Sequence, residues 1–120
     1  MEAVELSAAL RSFTGTTEYH AHWSRMLVFT DGVKFLAETG KAFWLVDAIA
    51  SWQSRAQKDA WLREFQLWEL FVREDRRATL VCSRDSDDES FRQEIEFTDF
   101  LMDYVKLYVE NHTLLLPSEH

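Results

Sequence analysis

The sequence has 120 residues, 47% of them hydrophobic and 14% aromatic, and a formal net charge of −8 at pH 7. A chain of this length folds as one domain with a proper core, so we expect residues 1–120 to form a single globular domain. The negative charge argues against direct nucleic-acid binding and against adhesion to anionic membranes, whereas it favours a basic protein partner.

The N-terminal segment predicts a short helix followed by an irregular stretch. Leu6 and Leu10 lie four residues apart on one helical face, which predicts a helix over residues 2–12. Residues 13–23 carry a turn signal, Thr-Gly-Thr-Thr, and are expected to be irregular. Residues 24–29 fit either a short strand or part of a helix, because the apolar run is too short for its period to decide.

Residues 30–53 predict a buried helical hairpin. Thr30 or Asp31 is the expected N-cap, and Gly40 is expected to stop the first helix with a positive φ. The second helix begins near Ala42 and is apolar almost all round, which is typical of a buried helix. It offers Phe, Trp, Leu and Ile where a DNA-recognition helix needs polar and basic side chains, so the pattern favours a core hairpin over a helix-turn-helix.

Three strands are predicted in the second half of the chain. Residues 65–72 and 78–83 are rich in aromatic and branched side chains and are joined by a short polar turn. Residues 91–97 alternate clearly, with Phe91, Ile95 and Phe97 on the expected buried face and charged residues on the other. These segments predict an antiparallel meander.

The C-terminal part predicts one more helix and an edge strand. Thr98 or Asp99 is the expected cap of a helix over residues 100–112, and residues 114–117 are expected to dock as an edge strand before Pro117. The predicted class is therefore α+β. N-terminal helices, including the buried hairpin, pack on a three-stranded or slightly larger antiparallel meander, and a C-terminal helix completes the domain.

Five segments give the chain a family resemblance. They are FTGTTEYHAHW, FTDGVKFLAETGKAFWLVDAIAS, LREFQLWEL, SFRQEIEFTDF and KLYVENHTLLLPSE. In this order they resemble a small uncharacterised bacterial family, one of the domains of unknown function. The resemblance implies an accessory gene of bacteria, plasmids or phages. It implies no mechanism and transfers no functional residue.

Two groups of side chains are candidates for metal binding or catalysis. His20 and His22 point the same way on an extended segment, and with Asp31 they are weak candidates for a metal site. The alternative is that His22 and Trp23 lie in the core and His20 at the surface. Cys82 stands within an apolar strand pattern, where a thiol behaves as a small hydrophobe rather than a nucleophile. We predict no catalytic residue, no metal and no cofactor.

An acidic run in the second half is the strongest functional signal. Side chains two apart on a strand lie about 6.7 Å from each other, so strand carboxylates form a regular charged row. Such a row resembles a nucleic-acid backbone to a basic groove, although a solvated surface is the simpler interpretation. The predicted partner-binding face is Asp85, Asp87, Asp88, Glu89, Glu94 and Glu96.

These observations favour a small, non-catalytic, cytoplasmic protein-binding module from a mobile element or accessory gene. The sharper hypothesis is an inhibitor that occupies a basic nucleic-acid-binding surface by nucleic-acid mimicry, as anti-defence proteins of the anti-CRISPR type do. Two alternatives stay open: a metal-binding protein or small enzyme built on His20 and His22, and a winged helix with residues 65–83 as its wing. A homodimer is compatible with the aromatic content.

Overall fold

A mixed β-sheet covered by helices forms the protein in a computed structural model that describes residues 2–85 and 88–120. Within these residues, the helices are α1 (Ala3–Arg11), α2 (Asp31–Thr39), α3 (Phe43–Ala56) and α4 (Ala60–Glu64). The strands are β1 (Tyr19–Ala21), β2 (Val28–Thr30), β3 (Phe65–Val72), β4 (Ala78–Ser83), β5 (Glu89–Ile95), β6 (Tyr104–Glu110) and β7 (Thr113–Leu115). The seven strands lie in the order β1-β2-β7-β6-β3-β4-β5, and a 3-10 turn, Pro117–Glu119, follows β7. The α+β class is confirmed.

The N-terminal helices follow the sequence pattern, with one correction. The side-chain oxygen of Thr30 accepts from the N–H of Val33, as predicted for an N-cap. Gly40 ends α2, but its φ is −89°, so the expected positive φ was wrong; Lys41 takes that conformation instead, with φ 56°. Glycine is needed at position 40 for space, because a Cβ there would lie 2.9 Å from the ring of Phe100.

Strands β3, β4 and β5 pair in succession, but the predicted meander of about three strands is not matched in detail, because they belong to a seven-stranded mixed sheet. Each strand pairs antiparallel with the next, and β3 also pairs with β6, so the β3–β4 hairpin lies inside the sheet. A hairpin flanked on both sides by further strands is not a free wing. The third strand ends at Ile95, two residues earlier than predicted, and Phe97 is 69% exposed rather than buried.

The predicted C-terminal helix over residues 100–112 was wrong, because residues 104–110 form strand β6. Val105, Leu107 and Val109 alternate with half-exposed residues and face the core. This period of two fits a strand paired with β3 along its length. The predicted edge strand is β7, and it too needs correction: it lies between β2 and β6, inside a sheet that has seven strands rather than about three.

All four helices contribute to one core on one face of the sheet. Leu6 of α1, Ile49 of α3 and Leu62 of α4 join Trp68 and Leu107 in this core. Since side chains alternate along a strand, the intervening residues of β3 and β6 face the opposite side. In the part of the chain that the structure describes, no helix covers that second side, which we call the open face.

A buried pair of glutamine side chains fixes α3 on the sheet. Gln53 and Gln66 are both fully buried and exchange two hydrogen bonds, each 2.8 Å long. Gln53 donates its second amide N–H to the carbonyl of Ile49, and Gln66 donates its second amide N–H to the carbonyl of Leu62. Their oxygens also accept from neighbouring side chains, so every donor and acceptor of the pair is satisfied. Those two donors are Gln57 and Trp68.

Replacing one member of this pair should destabilise the fold strongly. Gln53→Leu leaves the amide of Gln66 with an unpaired donor and an unpaired oxygen position in the core. We expect a loss of about 2–4 kcal/mol in the free energy of unfolding, measured by urea titration. The control Gln57→Ala removes one bond at a half-buried position and should cost less than about 1 kcal/mol. Equal losses in the two variants would contradict this role.

Candidate functional site

The β1–β2 hairpin brings each of its two histidines to a different carboxylate. His20 Nε2 lies 2.9 Å from Asp31 Oδ1, and His22 Nε2 lies 2.7 Å from Asp47 Oδ1. Among residues 2–85 and 88–120, no group of three or more His, Cys, Asp or Glu side chains is arranged to hold a metal ion. The hairpin therefore supplies two separate histidine–aspartate pairs.

Asp31 joins the irregular N-terminal segment to the start of α2. Its carboxylate accepts from the N–H and the hydroxyl of Thr17, and its own N–H donates to the hydroxyl of Thr16. The hydrogen bond with His20, followed by the one from the Thr17 N–H, holds the pKa of Asp31 well below its ordinary value. This carboxylate is ionised because the fold surrounds it with donors.

His22 is buried and has both ring nitrogens engaged. Its Nδ1 accepts from the N–H of Ser24 at 3.1 Å, so Nε2 carries the proton that is donated to Asp47. The Ser24 hydroxyl lies 2.7 Å from Nδ1, which gives a hydroxyl–imidazole–carboxylate order. The same hydroxyl accepts from the N–H of Met26, so the cluster also closes the loop and attaches it to α3.

Trp23 corrects the expectation that it lies in the core. Its side chain is 80% exposed, and its indole N–H donates to the same oxygen of Asp47 that His22 contacts. His22 is buried as expected, with 5% exposure, whereas His20 is partly buried rather than at the surface.

The predicted acidic face lies along β5 and its preceding loop, where arginines pair with several of its members. Arg84 lies 3.7 Å from Asp88, and Arg92 lies 2.7 Å from Glu89. Glu96 follows the end of β5 and is exposed, Asp85 lies in the loop, and Asp87 falls outside the described residues.

Glu94 is the member of this face that is tied into the sheet. It contacts Arg73 at 3.3 Å and accepts from the Thr79 hydroxyl. Arginine partners offset much of the negative charge of this row, while its geometry as a strand edge is retained.

The open face is the feature that sequence reasoning missed. Phe71 and Tyr104 pack across strands β3 and β6 with ring centroids 5.1 Å apart, and Phe65 and Tyr108 do the same at 5.1 Å. The Tyr104 hydroxyl donates to Glu69, and burial together with this carboxylate raises the pKa of Tyr104. Further apolar members of the face are Leu67, Val81 and Leu115.

The alternation of residues 104–110 was the signal that could have revealed this face. Assigning the segment to a helix put Tyr104 and Tyr108 on one helical face, towards the core. In the strand they stand opposite Phe71 and Leu67 on the uncovered side of the sheet. Glu94 pairs in register with Thr79 of the same side, so the predicted acidic row borders the aromatic pairs.

Cys82 lies within β4 and is fully buried, in agreement with the sequence interpretation. Burial, and secondarily the nearby Asp59, raises the pKa of its thiol to about 12. A thiol in this state is not a nucleophile at neutral pH.

The fold and its surfaces define a two-layer α+β protein with an uncovered, aromatic sheet face. The chain belongs to DUF6876, a family of unknown function whose sequence model matches residues 4–120. This confirms the resemblance to an uncharacterised family. Neither the search of curated proteins nor the search of solved structures gave a match. Within the described residues, no helix has the length and apolar character required to cross a membrane.

The depressed pKa of Asp31 predicts a pH dependence of stability. A carboxyl whose pKa is lower in the folded than in the unfolded state stabilises the fold above its ordinary pKa of 3.8, and this contribution is lost as the pH falls below that value. Asp31→Asn should therefore be less stable than the wild type at about pH 5, and the difference should shrink towards about pH 2. Urea unfolding at both pH values measures it. The control Asp99→Asn, at an exposed loop position, should show no such trend; an Asp31→Asn difference that is constant with pH would contradict the prediction.

Proposed function

We propose that this protein is a non-catalytic module that binds another protein through its open face. The observation that carries the proposal is two aromatic contacts, the exposed Phe71–Tyr104 and the half-buried Phe65–Tyr108, on a sheet surface without a helical cover. Apolar surface of this kind on a small protein marks an interaction site, and aromatic residues supply most of the binding energy in such interfaces.

The arrangement of charge supports the same proposal. A typical interface has an apolar centre and a polar rim. Here the aromatic pairs stand on the central strands β3 and β6, and the charged residues Arg73, Glu89 and Glu94 lie towards β5, at the edge of the sheet. The partner is a protein with a basic surface facing this rim, which the net charge of −8 attracts over distance.

The sharper form of the proposal is an inhibitor encoded by an accessory or mobile-element gene, acting in the cytoplasm on a basic nucleic-acid-binding protein. Its support is the acidic row on β5. Because arginines pair with Asp88, Glu89 and Glu94, most of the electrostatic attraction comes from the net charge and from Glu96, whose carboxylate has no partner among the residues that the structure describes. Strong salt dependence of binding is the expected mark of this form, since rim charges act mainly through screened, long-range attraction.

Comparative capture with open-face variants tests the proposal. Phe71→Ala and Tyr104→Ala truncate one aromatic pair, and each should weaken partner binding by about tenfold or more, because central aromatic residues typically cost more than 1 kcal/mol when removed. Wild type and variants, immobilised in parallel, are exposed to lysate of the host, and bound proteins are quantified by mass spectrometry at low and high salt.

A charge-matched control separates the interface from general electrostatics. Glu94→Lys and Glu38→Lys change the net charge equally, but Glu38 lies on α2, on the helical side of the molecule. We expect Glu94→Lys to reduce capture and Glu38→Lys to leave it unchanged. A partner that is lost equally in both variants, or that is retained by Phe71→Ala and Tyr104→Ala, would exclude the open face as its binding site.

A further inference from the structure

Strand β7 is too short to cover its neighbour, and this leaves a gap in the sheet. Strand β6 pairs with β3 from Tyr104 to Glu110, but β7 pairs with β6 only over residues 108–110. After Leu115 the chain turns away into the 3-10 turn at Pro117. Within the described chain, no strand pairs with the outer edge of residues 104–107.

The backbone polar groups along this gap point outward. The Val72 N–H donates to the Asp103 carbonyl at 2.8 Å, so residue 103 directs its backbone towards β3. Backbone direction alternates along an antiparallel strand, so Val105 and Leu107 also face β3. Tyr104 and Lys106 therefore direct their N–H and C=O groups into the gap.

A groove runs between this edge and helix α1. One cavity of about 310 Å³ is lined by residues of α1 and of the segment that enters β6, among them Val4, Met102 and Tyr104. A second cavity of about 130 Å³ continues along Val105 and Lys106 to the 3-10 turn. Both are lined mainly by apolar atoms. Val4, on the rim of the first cavity, is 80% exposed although it is apolar.

Charge at the groove favours an acidic side chain in its occupant. Arg11 lines both cavities, and Lys106 lines the second. Among the residues that line the two cavities, Asp103 at the entrance of the first cavity is the one carboxylate. Within residues 2–85 and 88–120, the guanidinium of Arg11 bonds only to the hydroxyl of Ser7, at 3.3 Å, so it can pair with an incoming carboxylate.

We propose that this groove binds an extended peptide segment of a partner protein, which adds as a strand to the outer edge of β6. The outward N–H and C=O groups of Tyr104 and Lys106 can form hydrogen bonds with an extended backbone but not with a helix. Four strand residues span about 13 Å, which suits a peptide with about two side chains directed into the groove. Its recognition features are apolar side chains at alternate positions, near Val4 and Met102, and a carboxylate beside Arg11. This site adjoins the open face at Tyr104, but it uses the outer backbone edge of β6 rather than the aromatic pairs.

Hydrogen exchange of the free protein tests the premise. The amide protons of Tyr104 and Lys106 should exchange faster than those of Val105 and Leu107, which bond to β3. Equal protection of all four amides would overturn the proposal, because the edge would then already be paired.

A library of random linear octapeptides displayed on phage tests binding. Enriched peptides should carry alternating apolar residues with Asp or Glu, and a synthetic copy should slow exchange at Tyr104 and Lys106. Lys106→Pro removes the outward N–H and leaves the bonds to β3, whereas Lys106→Ala removes the side chain and keeps the N–H. We expect about tenfold or greater weakening with Lys106→Pro and about threefold or less with Lys106→Ala.

A second variant guards against misfolding of Lys106→Pro. Val4→Asp changes an exposed rim residue and should also weaken peptide binding by about tenfold, with an unchanged circular dichroism spectrum. Phe71→Ala, on the open face, should bind the peptide as the wild type does. The proposal is overturned if no peptide is enriched, or if enriched peptides bind Val4→Asp as tightly as the wild type. It is also overturned if the wild type is a dimer that Lys106→Pro dissociates, since a second copy would then occupy the groove.

Discussion

The reciprocal amide pair of Gln53 and Gln66 is the constraint on which the arrangement of the two layers depends. A buried amide is tolerated only when its donors and acceptor are all satisfied, and this pair meets that condition in one register of α3 on β3. Trp68 completes the network from the same strand. A shift of the helix by one residue would leave polar groups unpaired in the core, so apolar packing alone does not set the position of α3.

One-sided coverage of the sheet by the described helices follows from this packing and leaves the open face without a helical layer. All four helices contribute to one core on one side of the sheet. On the other side, the side chains of β3 and β6 cover one another. Leu67 stands opposite Tyr108 and is only 7% exposed, and the ring of His120 packs on Phe65 and Tyr108. Charged residues stand at the border of this surface, and its centre keeps apolar area that a partner protein can cover.

The histidines and the acidic run show how far a motif identifies a site. Residues 13–23 were expected to be irregular, but Tyr19–Ala21 form strand β1, with His22 just after it. The sequence could not show that α2 and α3 would present Asp31 and Asp47 to the two histidines separately. Of the acidic run, Glu94 was correctly placed on a strand, whereas Glu96 lies beyond the end of that strand. The arginine that pairs with Glu94 is Arg73, which is distant in the sequence, so the offset of negative charge along this row depends on tertiary contacts.

By itself the sequence determined the α+β class, the α2–α3 hairpin and the succession of β3, β4 and β5, because these depend on local periodicity and caps. The family followed from the resemblance of whole sequence segments. Only the tertiary structure decided that residues 104–110 form a strand. Their apolar pattern fits both periods, and pairing with β3 selects the period of two. The open face, the unpaired edge of β6 and the burial of Gln53 follow from that choice. They depend on which segments meet across the fold, which no local pattern encodes.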